Sequence, residues 1–385
     1  MPLVGNLALP RLGFGLRVGL GARQAGVMIA MRDSDVLVIG AGIVGASVAH
    51  HLATAGAPVT VVDTEAPGRG VTAGSFAWIG SSGVRTGPAA SLRSLAAAEY
   101  RRLESELPGL PVTWSGSLSW RTGDAPPVAG PGQQLLDAET VAALEPRLRQ
   151  PPEWALWAAE DGAANPVGVT ERMIDSARDH GARIELERSV SAIQRDASGH
   201  VAGVETGGGT ISGRTVVLAA GVATAGLAAT TGINVPVAAS PATLFQFRGP
   251  AGLIRTLINN ENFDLRQVSE DRLIAAADSA DRTLAAVRRS FTDAGGVELL
   301  SAQVSGRPMP ADGEPIIGPV AEVPGLYVAV MYAAVTLAPV VGRLVAEELI
   351  MGRPAELLAG CRLDRFSDAR AGGRGVSAGS ADQQS

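Results

Sequence analysis

The chain has 385 residues, 46% of them hydrophobic and 18% charged, with a formal net charge of −6 at pH 7. This composition indicates a well-cored globular protein, long enough for two domains, and excludes a disordered chain. A negative net charge without a block of basic residues argues against nucleic acid as a partner. The one cysteine, Cys361, excludes an internal disulfide framework and a cysteine-built metal site, and it fits a reducing compartment.

Residues 1–33 carry arginines among glycines and aliphatic residues, without the compact apolar run and cleavage site of a signal peptide. They are predicted to be a flexible extension, and residues 367–385, rich in Gly, Ser and Ala, a disordered tail. The uncharged stretches 215–247 and 326–342 are interrupted by glycine, proline or threonine. No transmembrane segment is therefore expected.

Residues 35–63 predict a strand, a glycine turn, a helix and a second strand. Val36–Ile39 is fully apolar, as expected in a parallel sheet covered on both faces, and Val59–Val62 repeats the pattern. Between them, the segment Gly40–Gly45 opens the helix, and Asp63 follows the second strand. This arrangement is typical of a dinucleotide site, with the pyrophosphate at the helix N-terminus and the acid at the ribose.

Two segments after Asp63 are predicted to complete that site. Gly68–Ser75 is a turn rich in small residues whose hydroxyls and N–H groups would close over the pyrophosphate. Phe76–Gly80 is an aromatic segment placed near a redox ring, although an ordinary loop with a core Phe and Trp remains an equal alternative.

The middle of the chain alternates helices and strands. A helix is predicted over Leu92–Leu107 with its arginines on a solvated face, and another over Val169–Asp179. Strands follow at 181–186 and from Val190, then a hairpin around Gly207–Gly209 and an apolar strand that ends in a turn at Gly221.

The remaining strands are predicted to form the substrate side of the protein. Phe245 and Phe247 alternate on one face of a strand, while 257–267 and 272–276 are predicted to pair. Arg266 is a further candidate to face the pocket. His50, His51 and His180 are predicted to be structural rather than catalytic.

The C-terminal block Gly306–Gly318 holds Arg307 between glycine and proline, ahead of an Asp-Gly turn. A rigidly placed guanidinium is a natural partner for a substrate carboxylate, and a structural salt bridge is the alternative. The strand Leu326–Val330, a loop at Met331–Ala334 and the helix Thr336–Ile350 follow.

Taken in order, these motifs resemble the D-amino-acid oxidase-like FAD-dependent oxidoreductases, the group that includes glycine oxidase, sarcosine oxidase and bacterial D-amino-acid dehydrogenase. The motifs that match are the Gly40–Gly45 turn with Asp63, Leu218–Gly221, the Gly306–Gly318 block and Val335–Pro339. The resemblance implies an α/β fold with a Rossmann-like FAD-binding domain and a second α+β substrate domain built on a mixed or antiparallel sheet. The expected division assigns 34–90, 150–235 and 303–366 to the first domain, and 91–149 and 236–302 to the second.

The resemblance also implies roles for individual residues, carried over by position. Residues expected to contact FAD are Gly40, Gly42, Ile43, Val44, Gly45, Asp63, Thr72, Ser75, Val190, Gly221, Gly318, Ala334, Val335 and Thr336. Arg307 would hold the substrate carboxylate. Tyr332, which lies in a loop where this sequence departs from the family, is a second candidate catalytic or pocket residue. No metal is expected.

The implied reaction is oxidation of the C–N bond of a D-amino acid, a glycine-like substrate or an N-alkyl amino acid. Hydride passes to flavin N5, and the imine hydrolyses to an oxo acid. Oxygen or a quinone is the expected electron acceptor, and a homo-oligomer is compatible with the sequence. The expected location is the cytoplasm, free or at the inner face of the membrane.

One departure concerns the loop Met331–Ala334, where family members carry a glycine-containing turn before the last motif. An alanine there would still offer its N–H to the flavin, provided that its φ stays negative. The loop also contains no cysteine for covalent flavin attachment. Two alternatives stay open: a 2-hydroxy-acid oxidase on the same scaffold, and a flavin-binding protein with weak catalysis.

Overall fold

The computed structural model describes residues 36–83, 86–123 and 125–367. The expected N-terminal extension and, from residue 368, the expected tail lie outside the described residues. The strands are β1 Val36–Ile39, β2 Val59–Val62, β3 Trp78–Ile79, β4 Val112–Thr113, β5 Ser117–Ser119, β6 Gln134–Asp137, β7 Trp154–Ala158, β8 Gly162–Ala164, β9 Arg183–Glu185, β10 Val190–Arg195, β11 Val201–Thr206, β12 Gly209–Ser212, β13 Thr215–Leu218, β14 Val237–Arg248, β15 Leu257–Asn259, β16 Asp264–Ser269, β17 Arg272–Ala276, β18 Glu298–Pro310, β19 Ile316–Pro319 and β20 Leu326–Val330.

The helices within the described ranges are α1 Ile43–Thr54, α2 Ala90–Ser94, α3 Ala96–Glu106, α4 Ala138–Leu144, α5 Pro166–Asp179, α6 Thr224–Ala229, α7 Ala280–Ser290 and α8 Ala334–Met351. Short 3-10 turns lie at Val71–Gly74, Gly221–Ala223, Ala294–Gly296, Glu356–Cys361 and Leu363–Phe366. Within the described ranges, no helix is both long and apolar enough to cross a membrane.

A six-stranded sheet in the order β19-β20-β13-β1-β2-β9 carries the dinucleotide motif. β1 pairs in parallel with both β2 and β13, so the strand before the glycine turn lies at the centre of the sheet. The side chains of β1 alternate between two hydrophobic cores, one on each face of the sheet. Val36 and Val38 pack into the core shared with α1, α5 and α8, whereas Leu37 and Ile39 pack towards β10–β12 and α6. The fully apolar strand therefore has both faces covered, as predicted.

An eight-stranded sheet in the order β18-β14-β17-β16-β15-β5-β7-β6 forms the second large element. Its pairs are antiparallel except β15 with β5, so the sheet is mixed. A separate core beneath it includes Phe245 and Phe247. The two sheets confirm the expected α/β fold class with a second mixed-sheet unit.

The eight-stranded sheet crosses two of the expected domain boundaries. β7, expected in the cofactor-binding domain, lies between β5 and β6, and the boundary at residue 303 falls inside β18. The division into domains remains a prediction.

Two predicted elements are interrupted. The helix expected over Leu92–Leu107 breaks at Leu95, whose N–H donates to the carbonyl three residues back at Leu92 and so tightens the turn. The strand expected over 257–267 is a hairpin instead. The Asn260 side-chain oxygen accepts from the N–H groups of Asn262 and Phe263, which closes a tight turn between β15 and β16.

Candidate functional site

The glycine turn between β1 and α1 is packed too tightly for any other residue. A Cβ at Gly40, whose φ is +109°, would lie 2.5 Å from the Ala219 carbonyl oxygen. A Cβ at Gly45 would lie 1.9 Å from the Gly40 oxygen. The turn is therefore fixed by glycine at two points, and it brings the N-terminus of α1 directly against the end of β13.

The first turn of α1 has N–H groups available for an anion. Gly42 precedes the helix and has no side chain to cap it. Ile43 donates its N–H to the Thr72 hydroxyl at 3.2 Å, and Ile43 and Val44 are themselves buried. Thr72, predicted near the pyrophosphate, thus lies over this N-terminus, where free N–H groups and the helix dipole favour a phosphate.

Asp63 lies at the end of β2, beside the same turn. One carboxylate oxygen accepts from the Ala41 N–H, and the other accepts from the Glu65 N–H at 2.9 Å. The side chain is thereby held at the glycine turn, at the position expected for a ribose contact.

The segment after Thr72 crosses towards α8. The Ser75 hydroxyl accepts from the Ala77 N–H at 3.0 Å, and Ala77 has a positive φ of 60°. The Trp78 carbonyl accepts from the Thr336 hydroxyl at 2.8 Å, and the Trp78 indole N–H donates to the Asp161 carboxylate at 3.0 Å. These bonds hold the segment against the N-terminus of α8.

The loop before α8 differs from what the sequence predicts. Ala333 takes the left-handed conformation, with φ 50° and ψ 34°. The negative φ expected of an alanine that offers its N–H to the flavin is not found at Ala333, which adopts the left-handed turn that glycine prefers. The flavin contact itself remains a prediction. Ala334, Val335 and Thr336 then form the first turn of α8, where no side chain caps the backbone N–H groups.

A buried tyrosine completes the first turn of α8. Pro339 lies inside the helix and has no N–H to give to the carbonyl of Val335, four residues before it. The hydroxyl of Tyr100, which is 0% exposed, donates to that carbonyl at 2.7 Å. Burial raises the pKa of Tyr100, so the hydroxyl keeps its proton. Helix α8 therefore continues through Pro339, because the Tyr100 hydroxyl replaces the missing N–H donor.

Arg307 projects from β18 towards the loop before α8. One Nη donates to the Tyr332 hydroxyl at 3.3 Å and the other to the Ser240 hydroxyl at 3.4 Å. Its Cζ lies 5.1 Å from the Tyr332 ring centroid. The Nε is buried without a hydrogen-bond partner among the described residues, and no carboxylate there pairs with the guanidinium. A half-buried cation with an unused donor is suited to binding a carboxylate.

Three residues predicted to contact the cofactor lie outside the contacts described so far. Val190 begins β10, and Gly221, with φ 56°, opens the 3-10 turn after β13. Gly318 pairs with Val328, two positions before the end of β20, and the Arg362 side chain fills the space beside its Cα. Their cofactor contacts remain predictions.

The structure therefore brings together the glycine turn, Asp63 and Thr72 at one end, and Arg307 and Tyr332 at the loop before α8. Ser240 and Tyr100 were not predicted. Ser240 faces Arg307 only because β14 pairs with β18, whereas Pro339 within a predicted helix was a usable signal for an unpaired carbonyl at Val335. The tight glycines, the N-terminus of α1 with Thr72 over it and the Asp63 carboxylate fit a dinucleotide cofactor.

Comparison with known proteins adds the family context. Residues 35–348 match the family model described as FAD dependent oxidoreductase, DAO. Glycine oxidase from Geobacillus kaustophilus (strain HTA426) is 25% identical over 354 residues, which cover 81% of this chain and 92% of that protein. The 4-methylaminobutanoate oxidase (formaldehyde-forming) from Paenarthrobacter nicotinovorans is 31% identical over 231 residues, covering 53% of this chain and 26% of that protein.

Two solved structures share the fold. The crystal structure of glycine oxidase from Geobacillus kaustophilus superimposes with a TM-score of 0.77 and 23% identity, covering 86% of this chain and 98% of that chain. L-amino acid deaminase from Proteus myxofaciens, in complex with anthranilate, gives a TM-score of 0.79 and 17% identity, covering 87% and 94%. At these identities the similarity shows the fold alone.

Proposed function

The chain belongs to the family of FAD dependent oxidoreductases, and from that premise we propose that it oxidises the C–N bond of a small amino acid. The family match confirms the resemblance, the enzyme class and the FAD cofactor that the sequence predicts. The proposed substrate is a D-amino acid, a glycine-like amino acid or an N-alkyl amino acid, and the product is an imine that hydrolyses to an oxo acid.

The observation that carries this proposal is the state of Arg307. It is a half-buried guanidinium with a buried, unpartnered Nε and two long hydrogen bonds to hydroxyls. Bonds of 3.3 and 3.4 Å to neutral groups are easily exchanged for shorter charge-assisted bonds to a carboxylate. The two names among the relatives, glycine oxidase and 4-methylaminobutanoate oxidase, support a carboxylate-bearing amine.

Each residue then has a defined task. Arg307 binds the substrate carboxylate, with Ser240 and Tyr332 fixing the guanidinium from two sides. The turn of Gly40 and Gly45 and the carboxylate of Asp63 would hold FAD, which when bound would supply the acceptor for the hydride lost from the carbon next to nitrogen. The reaction needs an unprotonated amine and good orientation, but it does not require a protein base.

Replacement of Arg307 tests the proposal. Arg307→Leu should lower kcat/KM for the best amino acid by about a hundredfold, since a buried charge pair is lost, and Arg307→Lys should retain part of it. Arg248→Leu, on the exposed end of β14, is the matched control and should change little. An amine that lacks the carboxylate should be oxidised equally slowly by both the parent protein and Arg307→Leu. A parent-like kcat/KM for the amino acid in Arg307→Leu would refute the carboxylate role.

A further inference from the structure

A second arginine, Arg266 on β16, is buried away from Arg307. The residue is 8% exposed, and its Nε donates to the Phe76 carbonyl at 3.0 Å and an Nη to the Ala164 carbonyl at 2.9 Å. These bonds satisfy part of its hydrogen-bonding capacity. They supply no negative charge, because both acceptors are neutral.

The charge of Arg266 has no counter-ion in the part of the chain that the structure describes. No carboxylate lies within salt-bridge distance of it. Burial lowers the pKa of Arg266 to about 10, and no acidic neighbour opposes that effect. An isolated buried cation is costly, so buried charges are normally paired.

Arg266 borders a cavity of about 50 Å³. The polar residues Gln267, Thr256 and Ser115 are among those that line it, together with the exposed residues Arg255 and Thr113. One water-sized group needs about 10–15 Å³, so the space holds roughly three to five such groups. The cavity therefore has room for a small anion such as a halide or formate together with water.

Two further charged side chains, Arg255 and Glu145, lie at or beside the cavity. Arg255 adds a second positive charge to the cavity lining. The Glu145 carboxylate accepts from the N–H groups of Arg255 and Thr256 and from the Thr256 hydroxyl at 2.7 Å. It faces these donors and forms no ion pair with Arg266.

We propose that this cavity binds a small monovalent anion, with the Arg266 guanidinium as its charged ligand. The site is separate from the one assigned to Arg307. Arg307 pairs with Ser240 on β14, whereas Arg266 lies two strands beyond β14, in register with Gln246, which is six residues further along that strand.

The bound anion would act on the segment that leads to α8. Ala163, on the cavity wall, pairs with Trp78 between β8 and β3, and Arg266 holds the carbonyl of the neighbouring Phe76. Occupancy of the cavity is therefore expected to change the environment of Trp78, which provides an optical signal.

Titration of the FAD-loaded protein with formate and with bromide tests the proposal by tryptophan fluorescence. Ionic strength is held constant with gluconate, which is too large for the cavity. The response should saturate with formate and bromide and be absent with gluconate. Bromide located by anomalous diffraction should lie beside the Arg266 guanidinium.

Matched variants separate the site from general salt effects. Arg266→Met should weaken formate binding at least about tenfold, because a charge-assisted bond is lost. Ala163→Val keeps the Arg266 guanidinium but adds two methyl groups to the cavity wall. Because these methyl groups reduce the space for the anion, this variant should also bind formate more weakly. Arg248→Met should bind as the parent does. An equal response to gluconate, or parent-like formate binding in Arg266→Met, overturns the proposal. If Arg266→Met does not fold, parent-like binding in Ala163→Val overturns it instead.

Discussion

Ala333 is held in the left-handed backbone region at the point where the chain enters α8. For an L-residue with a Cβ this conformation costs roughly 1–2 kcal/mol, whereas glycine adopts it freely. The cost is met by the surrounding contacts, which include the bonds of Thr336 to Trp78 and of Tyr100 to Val335.

Glycine at position 333 should therefore be tolerated or stabilising. We expect Ala333→Gly to raise the free energy of unfolding by up to about 1 kcal/mol, and Ala333→Val to lower it by at least as much. The matched control is Ala334→Gly, at the first position of α8, which should be mildly destabilising. Thermal unfolding with saturating FAD measures all three. A lower midpoint for Ala333→Gly than for Ala334→Gly would contradict the left-handed assignment.

Two adjacent histidines on α1, His50 and His51, are buried. The sequence predicts a structural rather than a catalytic role for both. His50 binds Ser176 through Nδ1 at 3.0 Å, and His51 binds the Ser47 carbonyl through Nδ1 at 2.7 Å. The Nε2 of His51 accepts from Arg102 at 2.8 Å. Burial, as the largest cause, lowers the pKa of His50 to about 4 and that of His51 to about 3.

These shifts predict acid sensitivity. The unfolded chain takes up protons near pH 6.5, but the folded protein does so only near pH 4 and pH 3. The contribution of the two histidines to the free energy of unfolding is therefore fully present above pH 6.5. It falls as the pH drops towards 4, by about 1–2 kcal/mol per histidine at pH 5.

Urea unfolding at pH 7 and pH 5 measures this loss. The double variant His50→Asn/His51→Asn should be less stable at pH 7 but should lose less on acidification. His200→Asn, at an exposed position, is the control and should keep the parent profile. An equal loss in the double variant and the parent would exclude these histidines as the cause.

At the scale of elements, the turn between β1 and α1 is the part most dependent on glycine. Because a Cβ at Gly45 would lie 1.9 Å from the Gly40 oxygen, Gly45→Ala must displace the helix N-terminus from the strand. We expect the purified variant to contain much less FAD than the parent. Gly226→Ala, at an exposed position of α6 outside this turn, is the control, since no atom is found within 4 Å of its Cβ position. Parent-like FAD content in Gly45→Ala would contradict the role of this turn in cofactor binding.

Helix α8 depends on a contact from outside itself. Removal of the hydroxyl in Tyr100→Phe leaves the Val335 carbonyl buried without a donor and should cost about 1–3 kcal/mol of unfolding free energy. Pro339→Ala restores an N–H to that carbonyl, so the cost of Tyr100→Phe should be smaller in the Pro339→Ala background. A double-mutant cycle measures the coupling. Strictly additive effects would show that the tyrosine and the proline act independently.

At the scale of the whole molecule, the sequence predicted features that depend on local pattern. The parallel pairing of Val36–Ile39 with Val59–Val62 and the helix between them follow from apolar runs and glycine spacing. The order of motifs predicted the family, which the comparison confirms.

Features that depend on distant contacts were missed. Tyr100 and Val335 are 235 positions apart, and Ser240 meets Arg307 only through the register of β14 and β18. The left-handed Ala333 is likewise imposed by its surroundings rather than by its own preference. The turn at Asn260 was local and could have been read, because Asn favours tight turns by bonding to following N–H groups.

The flavin spectrum during anaerobic addition of candidate substrates is the most direct test of the proposed activity. D-amino acids, glycine and N-methyl amino acids form one panel, and 2-hydroxy acids form the comparison. We predict that one class of amino acid bleaches the flavin band, and that Arg307→Leu needs far higher concentrations of it. Bleaching by 2-hydroxy acids alone would contradict oxidation of the C–N bond, and a protein that binds no FAD would contradict the cofactor site itself.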